Sequence, residues 1–167
     1  MTNNQPVEAK IGKYLRQKDL KLVLAESCTG GLLSHMITNV PGSSEYFLGS
    51  LVSYSYEAKS AWLGVKPKTL KTYGAVSRET ALEMARGARE TMAKAFPREK
   101  IIALAITGIA GPGGGTPEKP VGLVWIGLSA ADREDAWSFQ WAGRREENKL
   151  NSAQAAMQIL LDYLKSL

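Results

Sequence analysis

One cysteine and one histidine in 167 residues exclude several chemistries at once. Cys28 has no partner for an internal disulfide, which points to a reducing compartment. Cys28 and His35 cannot build the clustered Cys/His sites that hold zinc, so no metal is expected. No apolar run approaches the roughly 18 residues that a membrane helix needs. The polar stretch Met1–Lys10 lacks the apolar segment of a secretory signal, so the expected location is cytoplasmic, with no membrane partner. Charge of one sign is not concentrated either. The net charge is +5, but acids interleave with bases, as in Arg133-Glu134-Asp135 and Arg144-Arg145-Glu146-Glu147. Nucleic-acid binders gather charge on one stripe, so no nucleic-acid partner is expected. What remains, 44% hydrophobic and 22% charged, suits a single globular domain over 1–167.

Periodicity supplies the elements. Val7, Ile11, Tyr14 and Leu15 predict an amphipathic helix over about 6–18. Lys21–Ala25 reads as a short buried strand, broken by Cys28-Thr29-Gly30-Gly31. Leu33, Met36, Ile37 and Val40 resume helical spacing until Pro41-Gly42. Tyr46–Tyr54 is the next strand and Glu57–Leu63 a short helix ended by Gly64. Ser77 is placed to cap a helix over 78–95, with Ala81, Met84, Ala85, Ala88 and Met92 on one face. Ile101–Ile106 is an apolar run of the parallel-strand type. After a Gly/Pro-rich loop, Val121–Leu128 and Ala136–Trp141 form a hairpin around 131–134. A last helix over 145–166 carries Leu150, Ala153, Met157, Leu160, Leu161 and Leu164. This order implies an α/β fold, a three-layer α/β/α sandwich with a mixed β-sheet.

Four segments can carry chemistry. Ala25-Glu26-Ser27-Cys28-Thr29-Gly30-Gly31 lies at a strand-to-helix junction. Its glycines permit a sharp turn, and the following helix offers unpaired N–H groups. Ser27 or Cys28 there would face an anion or oxyanion site; equally, Ser27 or Thr29 could simply cap the helix. In Tyr54-Ser55-Tyr56-Glu57-Ala58-Lys59, the Tyr-x-x-x-Lys pairing of short-chain dehydrogenases fails, and no Rossmann glycine fingerprint is present. Lys59 alone reads as a solvent-facing helical lysine. Thr107-Gly108-Ile109-Ala110-Gly111-Pro112-Gly113-Gly114-Gly115-Thr116 follows the apolar strand, where backbone N–H groups can cradle phosphate or ribose, yet it is not a Walker loop. Arg144-Arg145 puts positive charge at a helix start, against the dipole. Either Glu146 and Glu147 offset it or an anionic ligand does.

Together these motifs, with Gly74-Ala75-Val76-Ser77 and Lys119-Pro120-Val121-Gly122, resemble the C-terminal domain family of competence-damage-inducible protein CinA and its stand-alone nicotinamide-nucleotide deamidases. The likeness covers about 20–145. It implies a small-molecule pyridine nucleotide as partner and hydrolysis of nicotinamide mononucleotide to nicotinate mononucleotide and ammonia. Larger family members carry a further N-terminal domain, for which 167 residues leave no room. A homodimer is left open as the assembly.

Carried over residue by residue, the resemblance gives Ser27, Tyr54 and Lys59 catalytic roles. Ser27 attacks the amide, a neutral Lys59 takes its proton, and Tyr54 orients that lysine or relays the proton. Backbone N–H groups at Thr29, Gly30 and Gly31 are expected to receive the oxyanion. Thr107, Gly108, Ala110, Gly111, Gly114 and Thr116 are expected to line the nucleotide, with Arg145 on the phosphate. The family often has Gly-Asp-Arg where this chain has Gly143-Arg144-Arg145, so Arg144 could take the place of Arg145. The scheme needs no metal and no organic cofactor. Two rivals stand beside it: a cysteine hydrolase using Cys28, and a nucleotide-binding module of the same family without catalysis.

Overall fold

A computed structural model describes residues 5–167, so the first four residues of the polar N-terminal stretch lie outside it. Its elements are α1 (Val7–Gln17), β1 (Lys21–Glu26), α2 (Leu32–Thr38), β2 (Phe47–Val52), α3 (Tyr56–Leu63), α4 (Pro67–Tyr73), α5 (Arg78–Met92), β3 (Ile101–Gly108), β4 (Leu123–Ser129), β5 (Glu134–Gln140) and α6 (Arg145–Ser166). The five strands form one sheet in the order β2-β1-β3-β4-β5. β1 runs parallel to both neighbours, whereas β4 and β5 are antiparallel, which makes the sheet mixed.

Side-chain alternation divides the core into two layers. Leu22 and Leu24 of β1, Ile102, Leu104 and Ile106 of β3, and Val124, Ile126 and Leu128 of β4 pack against α1, α2 and α6. Val23, Ala25, Ile101, Ala103 and Ala105 face the other way, against α3, α4 and α5. Both central parallel strands are therefore covered on two sides, and their sequences are continuously apolar for that reason. α5 lies very close to α3. A Cβ on Gly87 would sit 1.8 Å from the Leu63 carbonyl oxygen, so only glycine admits this contact. The second layer thereby holds α3 against the carboxyl ends of the strands.

Ser77 caps α5 by accepting from the Thr80 N–H at 3.2 Å, and Gly64 ends α3 in the left-handed region. Two features differ from the periodic reading. α4 was not anticipated, because Pro67–Tyr73 buries only Thr69 and Leu70 and shows no apolar stripe. Leu150 does not face the core; it is 42% exposed. The inward positions of that part of α6 belong to Asn148 and Ser152, which are polar but hydrogen-bonded.

Candidate active site

The turn after β1 is built around a carboxylate. Glu26 is fully buried. One of its oxygens accepts from Thr29 Oγ1 at 2.8 Å, Gly31 N at 3.0 Å and Leu33 N at 3.1 Å. The other accepts from Ser34 N at 2.9 Å, Ser34 Oγ at 2.8 Å and Ser50 Oγ at 3.2 Å. The strand thus satisfies the open N–H groups of α2 with a charged side chain from outside the helix. Neither Ser27 nor Thr29 caps α2, whose N-cap is Gly31. Gly30 and Gly31 have φ of 61° and 98°, which lets the chain turn within two residues.

With capping assigned to Glu26, Ser27 is released for another contact. Its Oγ lies 2.9 Å from Lys59 Nζ, and both residues are buried. Lys59 Nζ also donates to the carbonyl oxygens of Ser53 at 2.8 Å and Tyr54 at 3.2 Å. Lys59 is a buried helical lysine, contrary to the solvent-facing expectation for an isolated one. Burial pushes its amine down from 10.5 to about 8. Glu57 does not counter this; it is exposed and interacts with Ser55 at the start of α3. Once neutral, the amine keeps two N–H donors for the two carbonyls and turns a lone pair to the Ser27 hydroxyl. This is the arrangement of a base beside a nucleophile.

Adjacent candidates fall into other roles. Cys28 packs into the core, and burial pushes its thiol up to about 11, so it stays protonated. The buried Thr29 spends its hydroxyl on Glu26. Gly30 N–H donates to Ser27 O at 3.0 Å, and Gly31 N–H is taken by Glu26. Neither the Gly30 nor the Gly31 N–H is therefore free to meet an oxyanion. Among the described residues, the Thr29 N–H meets no acceptor, and the Cys28 N–H lies against its own thiol. Tyr54 is 59% exposed, and its phenol oxygen accepts from Arg145 Nη2 at 3.0 Å. Tyr54 thus meets Lys59 through its main-chain carbonyl, while its phenol meets Arg145.

The glycine-rich segment begins inside β3. The Thr107 hydroxyl donates to Ala75 O at 2.7 Å, and Gly108 is the last strand residue. Ala110 points into the core, while its carbonyl accepts from Asn148 Nδ2 at 3.0 Å. The Gly111 carbonyl accepts from Arg145 Nη1 at 2.5 Å. Gly114 and Thr116 are exposed, and Thr116 closes a turn with Lys119. Arg145, not Arg144, reaches this loop; Arg144 offers its backbone N–H to Glu147. The acid thus satisfies the helix start, and the Arg145 side chain ties α6 to the loop and to Tyr54. Sequence reasoning missed Glu26, Ser53 and Lys149. The last stands one turn beyond Arg145, and a Cβ on Gly30 would lie 3.9 Å from its Nζ. Its i,i+4 spacing from Arg145 was the available signal. Among the described residues, no group of three His, Cys, Asp or Glu side chains is gathered for a metal, and no helix is long and apolar enough to cross a membrane.

Known proteins share this architecture. A family model described as the CinA C-terminal domain matches residues 4–164. A relative from Moorella thermoacetica, named for competence-damage induction, is 46% identical over 165 residues, 99% of this chain and 38% of its own length. The chain thus spans less than two fifths of that longer relative. A CinA superfamily protein from Klebsiella pneumoniae superposes with a TM-score of 0.88 at 30% identity, covering 96% of this chain and 97% of that one. A competence/damage-inducible protein from Agrobacterium tumefaciens gives 0.81 at 36% identity, covering 99% of each chain.

Proposed function

The chain belongs to the CinA C-terminal domain family, and from that premise we propose that it is an amidohydrolase converting nicotinamide mononucleotide and water to nicotinate mononucleotide and ammonia, a step of pyridine-nucleotide salvage. The observation that carries the reading is the 2.9 Å contact between Ser27 Oγ and a buried Lys59 amine held near pH 8.

Lys59, neutral in part of the population, withdraws the Ser27 proton as Oγ bonds to the carboxamide carbon. The developing oxyanion lies toward the Thr29 N–H, which has no acceptor in the protein to give up. Departure of ammonia leaves an acyl-serine, which water then hydrolyses with Lys59 again as base. The ribose and phosphate lie along the Thr107–Thr116 segment, with Arg145 at its edge supplying positive charge. A module that only bound nucleotide would gain nothing from a buried lysine held without a carboxylate partner, which is unfavourable to folding.

Purified protein mixed with nicotinamide mononucleotide and a chelator should release ammonia in step with nicotinate mononucleotide. Saturable nucleotide binding without ammonia would replace this reading with that of the binding module.

A further inference from the structure

The turn that carries Ser27 is open on one side. Gly30 N–H donates to Ser27 O at 3.0 Å, a closure that keeps the two Cα atoms within about 7 Å. Gly30 stands at φ 61°, and a Cβ there would meet, apart from its chain neighbours, a single heavy atom within 4 Å: Lys149 Nζ at 3.9 Å. Lys149 is half-buried on α6 and makes no hydrogen bond or ion pair among the described residues. A partly desolvated ammonium ordinarily has a counter-charge. The nearby acids are spent elsewhere. Glu147 accepts from the Arg144 main chain, and Glu26 is enclosed by its own six donors. Arg145, one turn earlier on the same face of α6, is engaged by the Gly111 carbonyl and the Tyr54 phenol. Lys149 is thus the cation of this edge whose donors all stand open. Its charge favours the thiolate of Cys28, within the turn, whereas the Lys59 amine answers to burial and to Cys28. The ammonium therefore flanks the turn at a distance from Lys59, on the side where a group remote from the reacting amide would lie.

We propose that Lys149 is a specificity residue of the hydrolase, binding the substrate's phosphate over Gly30 and so selecting the nucleotide against its riboside. The inference rests on the reading of this site as a nicotinamide-mononucleotide amidohydrolase. A phosphate monoester needs charged donors and room for three terminal oxygens. The missing side chain of Gly30 leaves that room against the backbone, and the ammonium offers three donors that no group of the protein claims. With the carboxamide at Ser27 Oγ, the other end of the same nucleotide reaches the Lys149 side of the turn. Arg145 adds positive charge from the preceding turn of α6, on a guanidinium already fixed by two acceptors. A riboside would leave the Lys149 ammonium as unpaired as it is in the free protein, so this lysine rewards only the phosphorylated ligand.

Lys149→Met removes a charge that no group of the protein holds, so the variant should fold as the parent does. Two ligands then separate a phosphate contact from general support of the site: nicotinamide mononucleotide and nicotinamide riboside. Calorimetry in a Ser27→Ala background keeps the substrate intact. There, Lys149→Met should weaken the nucleotide by about 10-fold or more and change the riboside by no more than about twofold. Lys149→Arg should recover most of the nucleotide's affinity. Equal losses for both ligands, loss for neither, or no recovery with arginine would overturn the assignment. Ribose 5-phosphate, with ribose as its control, supplies an arm without the pyridine ring. The unsubstituted protein should bind ribose 5-phosphate and not ribose, and Lys149→Met should bind neither. Failure of the unsubstituted protein to bind ribose 5-phosphate, or equal binding by the variant, overturns the anion site whether or not nicotinamide mononucleotide is hydrolysed. Absence of ammonia release, with ribose 5-phosphate binding still lost in Lys149→Met, would overturn the amide reading and uphold Lys149 as the phosphate contact.

Discussion

Replacing Lys59 by methionine should change how stability responds to pH, and the structure sets the size of the change. Burial pushes the amine from 10.5 down to about 8. At 1.36 kcal/mol per pH unit, the gap corresponds to about 3 kcal/mol. The folded value lies below the unfolded one. Below pH 8 both states are charged, and the folded protein bears the full desolvation penalty. Between about 8 and 10.5 the unfolded chain keeps a proton that the folded one has lost, so stability rises with pH. Above 10.5 the penalty is gone. Lys59→Met abolishes this titration. It also leaves the Ser53 and Tyr54 carbonyls without this donor, but that loss is the same at every pH. The unfolding free energy of the parent relative to the variant should therefore increase by about 3 kcal/mol from pH 7 to 10.5. Urea unfolding of both proteins across that range measures it, and a difference flat in pH would refute the claim that burial holds the amine down. Turnover supplies a companion test. The parent's kcat/KM should climb with a limb near pH 8, and Lys59→Met and Lys59→Arg should both be inactive. An active Lys59→Arg would show that position 59 supplies charge and not basicity.

Ser27→Ala should abolish ammonia release while nucleotide affinity by calorimetry stays within about a few-fold, since the hydroxyl serves the transition state more than binding. Cys28→Ser should keep substantial activity; its loss to the level of Ser27→Ala would return the nucleophile's role to the thiol. Arg145→Ala should weaken nicotinamide mononucleotide binding by roughly 10- to 150-fold, from about 1.5–3 kcal/mol for a charge-assisted hydrogen bond. Nicotinamide riboside, which lacks the phosphate, should be nearly unaffected, and equal losses for both ligands would remove Arg145 from the phosphate. Glu26→Gln should lower stability by about 1–3 kcal/mol, because its amide nitrogen, turned to the side where the Ser34 and Ser50 hydroxyls can reverse, leaves the Ser34 main-chain N–H unpaired. A melting temperature unchanged from the parent's would show that the carboxylate is dispensable to the turn.

Strands and helices were legible where burial is one-sided or complete. Leu22–Leu24 and Ile101–Ile106 announce buried strands because nothing else in the fold demands such runs. α4 was illegible because its packing rests on Leu70 and Thr69, too few positions to set a period. Leu150 misled because an apolar residue on a long helix need not face inward when polar Asn148 and Ser152 do and are paired. At the site, the sequence marks the turn, the lysine and the glycine-rich segment but not their directions. Tyr54 illustrates the gap: its position next to the lysine's carbonyl cradle follows from the chain, whereas its phenol turns toward a residue 91 positions away. Glu26 was opaque for a related reason. A carboxylate that accepts from groups as far along as Ser34 and Ser50 does so only once β1, α2 and β2 are assembled.

The tie from Arg145 to Tyr54 also bears on how the molecule is assembled. Ser27 and Lys59 are 32 residues apart, whereas Tyr54 and Arg145 are 91 apart. Loop-closure entropy grows only with the logarithm of length, so the longer connection adds about 1 kcal/mol to the search. That modest difference still orders the two contacts by topology. The serine–lysine pair belongs to a compact β-α-β-α stretch, while the arginine arrives on α6 with Ala153, Ala156, Met157, Leu160, Leu161 and Leu164, which close the larger core cluster. A chain that had formed its sheet without seating α6 would hold Ser27 beside Lys59 and leave the Gly111 carbonyl untethered. Its circular dichroism would approach that of the finished protein while its nucleotide affinity lagged, so ligand binding is a stricter reporter of complete topology than secondary structure is.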